Sequence, residues 1–528
     1  MKKEITVHPF ISQPITAQNL LTNTIEWKDA SLEVTFPTFS AEELLPLAQR
    51  LSSLKRSAHI RPLEDVLEII DQVGALWRDP SYELRKEALE IVPLIAGQSK
   101  QLSEFELSGV AQLWSRAVVE SMLREDLGSA DFLEHWLPRG PVRLHAQPRG
   151  LVLHNLAGNS FSVSALSLLC GLITKNVNLV KLSHDAPYFG VKWAESIRSV
   201  DKKLAEEIAV LYWSGSRTEI YRSLFNSGLV DAVLAWGGLS SIETIRKLGY
   251  HFGIKIIDYG PKLSFSIISA NALLAQRQLI EELTTKMSFD IVFWNQKACL
   301  SPRVVFITTE APSPTKPPKK KKTATPSLLE LEAIAYDFAK NLASKMALIE
   351  HRYPRTNLAL GEIVDTTRKR DYFLMHHELE GTGELFFPEN GKANWTVAYL
   401  KKLPTPQEIN FCINRFIIVV PVADINEIYQ LIATNKLSRF LQTCSLYGSE
   451  PFVNAAAEEL SFLGVYRFPR VGEHNSQKMG LPWDGQYILQ QLIRWVYLGF
   501  HSQTEPAPLG EKFLTPFTTD KKTLEKRS

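Results

Sequence analysis

One cysteine of the chain stands in a context that suits a reactive thiol. Cys299 lies in NQKACLSPR, residues 295–303, between amide side chains and a Ser-Pro pair that ends regular structure. A thiolate in such a loop is a strong nucleophile and can carry an acyl group. A buried cysteine that merely fills the core is the competing interpretation, and this segment alone leaves both open.

The other three cysteines, Cys170, Cys412 and Cys444, are weaker candidates. Cys170 falls in the apolar stretch SALSLLCGLIT, and the other two have no obvious basic partner. The chain has no CxxC pair and no His/Cys cluster with zinc spacing, so the sequence predicts neither a metal site nor a disulfide framework. Four cysteines in 528 residues suit a reducing compartment, and we expect the cytoplasm.

Three features upstream could bind a ligand at the ends of strands. Lys181 lies near the end of the apolar run NLVKLS, Asn159 ends the loop HNLAGN, and Gly237-Gly238 follows the strand DAVLA just before a helix. Glycines there let a phosphate approach the backbone N–H groups of a helix N-terminus. Each feature also has a plainer interpretation: a solvated lysine, a helix-capping asparagine and a glycine turn.

The elements that would position these residues alternate between strand and helix. Residues 150–270 contain apolar, strand-like runs separated by helical patterns, which predicts βαβ units and a parallel, doubly wound sheet. In 138–154, β-type residues on both sides of Gln147-Pro148-Arg149-Gly150 predict a strand, a turn and a second strand. Residues 40–135 have mostly helical periodicity and begin with a capping-box pattern, a serine followed three residues later by a glutamate.

Composition narrows the class of protein. The chain is 45% apolar and 22% charged with a formal net charge of +2, as in ordinary soluble proteins, and no global field attracts nucleic acid. Residues 310–327 carry five lysines and five prolines, which predicts a disordered insertion. The longest uncharged run, 155–174, contains Asn, Ser, Thr and Gly, so we interpret it as a loop and a buried helix rather than a membrane span.

In this order and spacing, the segments resemble the aldehyde dehydrogenase superfamily, and most closely its LuxC-type branch of long-chain acyl-CoA reductases. The resemblance runs from about 138 to 500 and covers HNLAGNSF, GLITKNVNLVKLS, DAVLAWGG, IDYGPKLSFS, NQKACLSPR and LPWDG…LQQLIRWV. It implies an α/β, aldehyde-dehydrogenase-like fold with a Rossmann-type cofactor domain, an α/β catalytic domain and an oligomerisation hairpin. It also implies an oxidoreductase that reduces a long-chain acyl-CoA or acyl-protein thioester to a fatty aldehyde.

The resemblance assigns roles to individual residues. Cys299 matches the nucleophile that becomes acylated. Asn159 matches the residue whose side-chain amide, together with the backbone N–H of the cysteine, forms an oxyanion hole. Gly237 and Gly238 match the turn that meets the cofactor pyrophosphate, and Lys181 matches the lysine at the adenosine ribose.

Two departures from the family's motifs sharpen the expected activity. Asp258 stands where hydrolytic members have the glutamate that activates water; the shorter carboxylate favours reduction, although it can still act as a base. The family's Lys-Pro-Ser-Glu reads Lys-Leu-Ser-His at 181–184, and His184 does not repel a ribose 2′-phosphate, which favours NADPH. We also expect Ser183 and Asn155 on the cofactor side.

The sequence divides into four parts. We predict a largely helical N-terminal extension at 1–98, a nucleotide-binding domain at 99–262 and a catalytic domain at 263–458. A C-terminal segment at 459–528 is expected to pack back on the cofactor domain and to end in a polar tail.

The resemblance also implies partners. We expect a homodimer or homotetramer formed through the hairpin, and an acyl-protein synthetase that delivers the acyl group; no nucleic acid and no transmembrane segment are expected. Two other functions stay open at this point. One is a superfamily reductase that acts on an acyl phosphate or a short-chain acyl-CoA, and the other is an inert scaffold on the same fold.

Overall fold

The computed structural model describes residues 2–12, 19–26, 31–140, 142–310, 326–356 and 358–499. The predictions of a disordered lysine-rich insertion and of a polar tail fall almost entirely outside these ranges. The described residues form four sheets: a three-stranded sheet at the start, a five-stranded and a six-stranded sheet that carry the two main domains, and a second three-stranded sheet.

The first 38 residues contain a small sheet rather than helices. β1 (Lys2–Thr6) runs parallel to β3 (Ser31–Thr38), and β2 (Asn19–Glu26) pairs antiparallel with the other side of β3. Alternate residues of β3, a leucine, a valine and a phenylalanine, face the core. The prediction that 1–98 is largely helical was wrong for this section, because the alternation in SLEVTF is a strand signal.

Six helices follow, as the apolar periodicity predicts. They are α1 (Ala41–Ser53), α2 (Lys55–Ile60), α3 (Leu63–Arg78), α4 (Glu83–Ala96), α5 (Lys100–Leu113) and α6 (Arg116–Leu127), with a 3₁₀ turn at Ala130–Leu133. The predicted capping box starts α1, since Ser40 Oγ accepts from the Glu43 N–H and the Ser40 N–H donates to Glu43 Oε2. Trp77 of α3 stacks on Trp193 with ring centroids 4.6 Å apart, which joins this section to the domain that follows.

The segment predicted as a hairpin, 138–154, joins two different sheets. β4 (Leu137–Arg139) and β5 (Val142–Pro148) pair antiparallel, while β6 (Leu151–Asn155) enters the five-stranded sheet. Gly150, at φ +132°, makes the bend between them. The predicted hairpin of these two strands was therefore wrong: β6 is buried along its whole length, as a central strand of a parallel sheet must be.

A five-stranded parallel sheet carries the first main domain. After β6 the chain runs through α7 (Ser162–Ile173), β7 (Val177–Leu182), α8 (Phe189–Val200), α9 (Lys202–Glu206), β8 (Ile208–Tyr212), α10 (Thr218–Asn226), β9 (Ala232–Trp236), α11 (Leu239–Tyr250) and β10 (Lys255–Tyr259). The strand order is β10-β9-β6-β7-β8, and every pairing is parallel. The winding reverses between β6 and β9, and ligands of such sheets bind at the carboxyl ends of the strands beside this point. The predicted doubly wound sheet is confirmed.

A six-stranded sheet carries the second main domain. Its elements are β11 (Leu263–Ser269), α12 (Ala270–Ala275), α13 (Gln278–Val292), β12 (Pro302–Thr308), α14 (Leu328–Arg352), α15 (Leu360–Phe373), β13 (Gly383–Phe386), β14 (Thr396–Leu400), α16 (Pro406–Phe411), β15 (Phe416–Val422), α17 (Ile425–Thr434), β16 (Leu441–Tyr447) and α18 (Glu450–Phe462). The order is β13-β14-β15-β12-β11-β16, parallel except at β13. Separate apolar cores fill its two faces.

The chain then returns to the first domain through α19 (Ile488–Leu492) and β17 (Ile493–Gly499). Asp126 at the end of α6 accepts hydrogen bonds from the backbone N–H groups at the start of α19, at 2.9 and 3.1 Å. β17 pairs antiparallel with all of β5 and completes the second three-stranded sheet, so the strand order there is β17-β5-β4. Among the helices of the described ranges, none is long and apolar enough to cross a bilayer.

Candidate active site

Two cavities meet between the main domains. One, of about 530 Å³, lies at the carboxyl ends of β6, β7, β9 and β10; we call it the sheet cavity. The other, of about 770 Å³, lies between α4, α8 and the start of α15; we call it the channel cavity. The two cavities share six lining residues, which are Gly158, Asn159, Ser160, Asp185, Trp294 and Lys297.

The glycine pair predicted to meet a phosphate lies in the sheet cavity. Gly238 is the residue before α11, and no side chain caps the N-terminus of that helix. A β-carbon at Gly238 would meet nothing within 4 Å, and one at Gly237 would meet only Ser241 at 3.7 Å. The uncapped N-terminus of α11 and this open space suit an anionic group of a ligand, although the Gly237 N–H already donates to the Tyr259 carbonyl at 3.3 Å.

Lys181, at the end of β7, is a buried amine that lines the same cavity. Its side chain is 7% exposed, and its Nζ lies 5.8 Å from the centroid of the Tyr212 ring. Burial lowers the pKa of Lys181 to about 8, and Asp185 partly opposes this shift. A lysine held in this way gains from an anionic or hydroxyl-bearing ligand that replaces the lost water.

The two residues after β7 have different surroundings. Ser183 lines the sheet cavity, as expected. His184 is not among the residues that line either cavity; its Nδ1 lies 3.2 Å from Asp185 Oδ1 at the surface, and its backbone carbonyl accepts from Asn23 Nδ2. Asp185, which the sequence did not suggest, lines both cavities.

Asn155 ends β6 and lines the sheet cavity, but its side chain is already paired inside the protein. Its Nδ2 donates to the carbonyl of Trp236 at 3.4 Å, and its Oδ1 accepts from the Tyr221 hydroxyl at 2.7 Å. The side chain therefore ties β6 to β9 and α10.

The predicted nucleophile Cys299 lines the sheet cavity. Burial and the nearby Asp484 carboxylate raise the pKa of the Cys299 thiol to about 12, against smaller opposing contributions from a hydrogen bond with the Gln442 side chain and from backbone N–H groups. The thiol is therefore protonated at neutral pH, and the thiolate is the nucleophilic form. Any acyl transfer to this residue needs a base.

A left-handed turn leads into the cysteine. Trp294, Asn295 and Gln296 have φ angles of 55°, 50° and 60°, a conformation that side-chain-bearing residues rarely adopt in succession. The Gln296 amide holds this turn, donating to the carbonyls of Pro302 and Phe416 at 2.8 Å each and accepting from the Phe416 N–H at 2.7 Å. Backbone held away from its preferred region by such contacts is typical of functional sites.

Behind the turn lies a buried carboxyl group. Glu106 on α5 is 1% exposed; its Oε1 accepts from the Trp294 N–H at 2.7 Å, and its Oε2 accepts from Gln98 Nε2 at 2.5 Å. Burial raises the pKa of Glu106 to about 8, although both hydrogen bonds and Arg415 oppose the shift. Arg415 Nε in turn donates to Asn295 Oδ1 at 2.9 Å.

Asn159 lies at the junction of the two cavities. Its exposed side chain donates from Nδ2 to the carbonyl of Lys297, 3.1 Å away and two residues before the cysteine. The structure thus brings Asn159 and Cys299, 140 positions apart in the chain, to one cavity.

Asp258 is not brought into this cavity. It forms an ion pair with Arg246 of α11, whereas the next residue, Tyr259, lines the cavity and stacks on Trp236 at 4.3 Å. Successive residues of β10 face opposite sides, which explains the difference. The carboxylate that lines the cavity beside Cys299 is Asp484, which the sequence did not single out.

No group of three or more His, Cys, Asp or Glu side chains suited to a metal ion occurs among the described residues. The reactive groups that line the sheet cavity include the Cys299 thiol, the Asp484 carboxylate and the Asn159 amide.

Comparison with known proteins agrees with this arrangement. The model of the acyl-CoA reductase (LuxC) family matches residues 58–317 and 328–495. The chain belongs to this family. The match begins 80 residues before the segments that carry the resemblance, which start at about 138, and so includes most of the N-terminal helices. As a LuxC-family acyl reductase, the chain is an oxidoreductase.

Relatives of this LuxC-family chain include the long-chain acyl-protein thioester reductase of Vibrio harveyi, 25% identical over 442 residues and 82% of each chain. That of Aliivibrio fischeri is 27% identical over 455 residues, 84% of this chain and 85% of the relative. Among solved structures, the NADP-dependent glyceraldehyde-3-phosphate dehydrogenase of Bacillus halodurans superposes with a TM-score of 0.66 at 15% identity, covering 94% of this chain and 99% of that one. This likeness confirms the aldehyde dehydrogenase fold.

Proposed function

We propose that the protein reduces a long-chain fatty acyl thioester, an acyl-CoA or an acyl-protein, to the fatty aldehyde through an acyl-enzyme on Cys299, with NADPH as the hydride donor. The observation that carries this proposal is the position of Cys299 in a strand-end cavity suited to a nucleotide, which shares six lining residues with a second, largely apolar cavity. Family membership supports the reaction class.

In the first step, Cys299 sulfur attacks the thioester carbonyl. A new carbon–sulfur bond forms on Cys299, the bond to the donor sulfur breaks, and the thiol proton passes to the departing thiolate. Asn159 Nδ2 and the Cys299 backbone N–H would stabilise the oxyanion of the tetrahedral intermediate, by about 3–4 kcal/mol for each donor. The present bond from Asn159 to Lys297 O holds this amide at the junction of the cavities.

In the second step, hydride added to the acyl carbon on Cys299 would give a thiohemiacetal, which would collapse to the aldehyde and the Cys299 thiolate. One proton taken up from solvent would then restore the thiol. Gly237, Gly238, Lys181 and Ser183 would hold the cofactor in the sheet cavity, because the uncapped start of α11 suits a pyrophosphate and the desolvated Lys181 amine suits a ribose. A reduced nicotinamide bound there would supply the hydride. The paired side chain of Asn155 supports the wall of this site rather than a direct contact.

Water competes with hydride for an acyl-enzyme. The residue that matches the water-activating base of hydrolytic relatives, Asp258, is paired with Arg246 outside the cavity. We therefore propose that Asp258 takes no part in hydrolysis and that the acyl-enzyme persists until it is reduced.

The channel cavity suits the acyl chain. Apolar side chains line it from α4, from the start of α7, from α8, from the left-handed turn 294–296 (the nucleophile turn) and from α15; the residues are Val92, Ile95, Phe161, Phe189, Trp294 and Leu360. Its volume of about 770 Å³ falls in the range of sites that enclose a whole small ligand. This supports a fatty acyl group over a small polar acyl phosphate.

We also propose a reducing, cytoplasmic location and an acyl-protein synthetase as the donor of the acyl group. All four cysteines are free, and the mechanism needs Cys299 as a thiol. The family relatives' names, which specify acyl-protein thioesters, support a protein donor.

A single assay tests the function. Purified protein is mixed with NADPH and acyl-CoAs of graded length, and nicotinamide absorbance and aldehyde are followed together. We expect turnover with long chains, and loss of both turnover and covalent labelling by radioactive acyl-CoA in Cys299→Ala. Absence of turnover with every thioester overturns the proposal, and turnover with acyl phosphates alone favours the alternative reductase.

A further inference from the structure

Asp484 is carried into the sheet cavity by a tight turn. Trp483-Asp484-Gly485-Gln486 is closed by two backbone hydrogen bonds, 2.8 and 2.9 Å long, between Trp483 and Gln486. Asp484 and Gly485 have φ angles of 49° and 77°, as a two-residue type I′ turn requires, and Asp-Gly is a favoured pair for it. Trp483 fixes the turn against the sheet by an edge-to-face contact with Trp236, 5.8 Å between centroids.

Gln442 of β16 connects the carboxylate and the thiol. Its Nε2 donates to Asp484 Oδ1, and its side chain also hydrogen-bonds at Cys299. Gln442 is 2% exposed, and its Oε1 has no hydrogen-bond partner. The backbone of Gln442 is fixed in turn, because its carbonyl accepts from the N–H groups of Tyr466 and Arg467 at 3.0 and 3.1 Å.

Besides Asp484, the charged side chains that line the sheet cavity are Lys181, Asp185, Lys262, Lys297 and Arg303. Lys262, from the β10–β11 connection, lines the same cavity and favours the ionised carboxylate, whereas Asp258 opposes it. Burial has the largest effect and raises the pKa of Asp484 above its ordinary value. The cavity lining includes a second carboxylate, Asp185, but Asp484 is the one whose charge acts on the Cys299 thiol.

We infer that Asp484 is the general base that removes the Cys299 thiol proton during acyl transfer, with Gln442 as the residue that positions it. This inference rests on the proposed function. As the cysteine sulfur bonds to the thioester carbon, its proton moves to Asp484; as the donor carbon–sulfur bond breaks, Asp484 returns that proton to the departing thiolate. No oxidant or reductant is consumed, and the site ends with an acylated cysteine and a charged carboxylate.

Asp484→Asn is a clean test of this step. Asn-Gly also forms the type I′ turn, and an asparagine Oδ1 still accepts from Gln442, so the variant keeps the local structure and loses only the base. Glu473→Gln, which neutralises an exposed carboxylate earlier in the same C-terminal segment, is the matched control. Acylation is followed by rapid quench with radioactive long-chain acyl-CoA and without nicotinamide.

At pH 7 we expect Asp484→Asn to slow acylation by about 10²–10⁴-fold, the usual contribution of a positioned base. In the wild type the rate should rise with pH as Asp484 ionises and then level off; in the variant it should keep rising toward the pKa of the thiol. Asp484→Glu should recover part of the rate, and Glu473→Gln should match the wild type.

If acylation is not slowed in Asp484→Asn, that result has a clear physical meaning. Because the charge of Asp484 raises the pKa of Cys299, a carboxylate that acts only through its charge would make Asp484→Asn acylate faster than the wild type. Equal or faster acylation therefore overturns the inference while the proposed function stands. A wild-type protein that takes no label overturns both.

Discussion

At the scale of residues, reactivity here depends on neighbours rather than on an intrinsically acidic thiol. Cys299 is partly buried beside a carboxylate, and both conditions favour the protonated form. In the proposed mechanism, the amide of Asn159 and the backbone N–H of Cys299 are neutral donors that gain strength only when charge develops on the substrate oxygen. Such a site would stabilise the transition state and leave the resting thiol protonated.

Asn159→Ala tests the oxyanion donor. We expect kcat for aldehyde formation to fall by about 10²–10³-fold with KM changed much less, because the lost hydrogen bond forms mainly in the transition state. Steady-state kinetics with a long-chain acyl-CoA measure both constants. A kcat within threefold of the wild type contradicts the assigned role.

The proposed preference for NADPH over NADH rests on the side chain of His184. His184→Glu would place a carboxylate after Ser183, and we expect kcat/KM with NADPH to fall by at least tenfold while that with NADH changes little, since only NADPH carries a 2′-phosphate to repel. The side chain of His184 lies outside the lining of both cavities, whereas the neighbouring Asp185 lines both. The variant Asp185→Asn should therefore be measured alongside His184→Glu. If NADH serves the wild type as well as NADPH, the preference is wrong.

Sequence reasoning singled out five of the residues that line the sheet cavity, because their position follows from topology. Cys299, Asn159, Lys181 and the glycine pair lie next to strand ends, and the fold gathers such loops at one edge of the sheets. Asp484 was not predicted as a site residue, because the sequence WDGQ indicates a turn but not which cavity the turn enters. Asp258 was misplaced because a one-residue step along a strand reverses the side it faces.

At the scale of elements, the nucleophile turn depends on the helical section before it. Glu106 of α5 accepts a hydrogen bond from the Trp294 N–H, and Arg415, itself at φ 62° before β15, donates from Nε to Asn295 Oδ1. A strained turn persists only where surrounding structure determines it. This gives the N-terminal helices a direct part in the geometry of the active site.

Glu106 predicts a pH dependence of stability. Its pKa is raised from an ordinary 4.5 to about 8 in the folded protein, so its favourable contribution is complete below about pH 4.5 and is lost as pH rises through 8. Relative to Glu106→Gln, the wild type should lose up to about 4 kcal/mol of unfolding free energy between pH 5 and pH 8. Denaturant unfolding of both proteins at several pH values measures this; parallel curves would contradict it.

Helix α4 should set the acyl length. Ile95 lines the channel cavity, and Ile95→Trp would fill part of it, so we expect the preferred acyl chain to shorten by several carbons with short-chain activity retained. Lys86→Trp, on the exposed side of the same helix, is the control. Activity with acyl-CoAs of graded length gives the readout, and an unchanged length profile would place the acyl chain elsewhere.

At the scale of the whole molecule, no single domain contains the site. The sheet cavity takes its strand ends from the first domain, its thiol from the second, and Asp484 from the segment that returns between them, where Gln442 of the second domain donates to it. The same returning segment ends in β17, which completes the sheet with β4 and β5. Assembly of the site and assembly of this outer sheet are therefore linked through residues 484–499.

The outer sheet is the surface through which we expect the homodimer or homotetramer to form. Four consecutive apolar residues of β17, Trp495 to Leu498, are 37–72% exposed, and β17 is one of the two edge strands of its sheet among the described residues. An exposed apolar edge invites pairing with another chain. The prediction of a hairpin at 138–154 was wrong, because its two strands belong to different sheets. The sheet of β17, β5 and β4 nevertheless offers a surface for contact between subunits.

Charges on this strand should therefore separate the subunits. We expect Tyr497→Lys combined with Leu498→Lys to convert the wild-type oligomer to a monomer in sedimentation experiments, since like charges would face each other across the contact. Phe462→Lys, an equally apolar and 86% exposed position on α18, should leave the oligomer intact. Because β17 also holds the segment that bears Asp484, the monomer should acylate more slowly than the wild type. An unchanged sedimentation coefficient in the double variant would place the subunit contact on another surface.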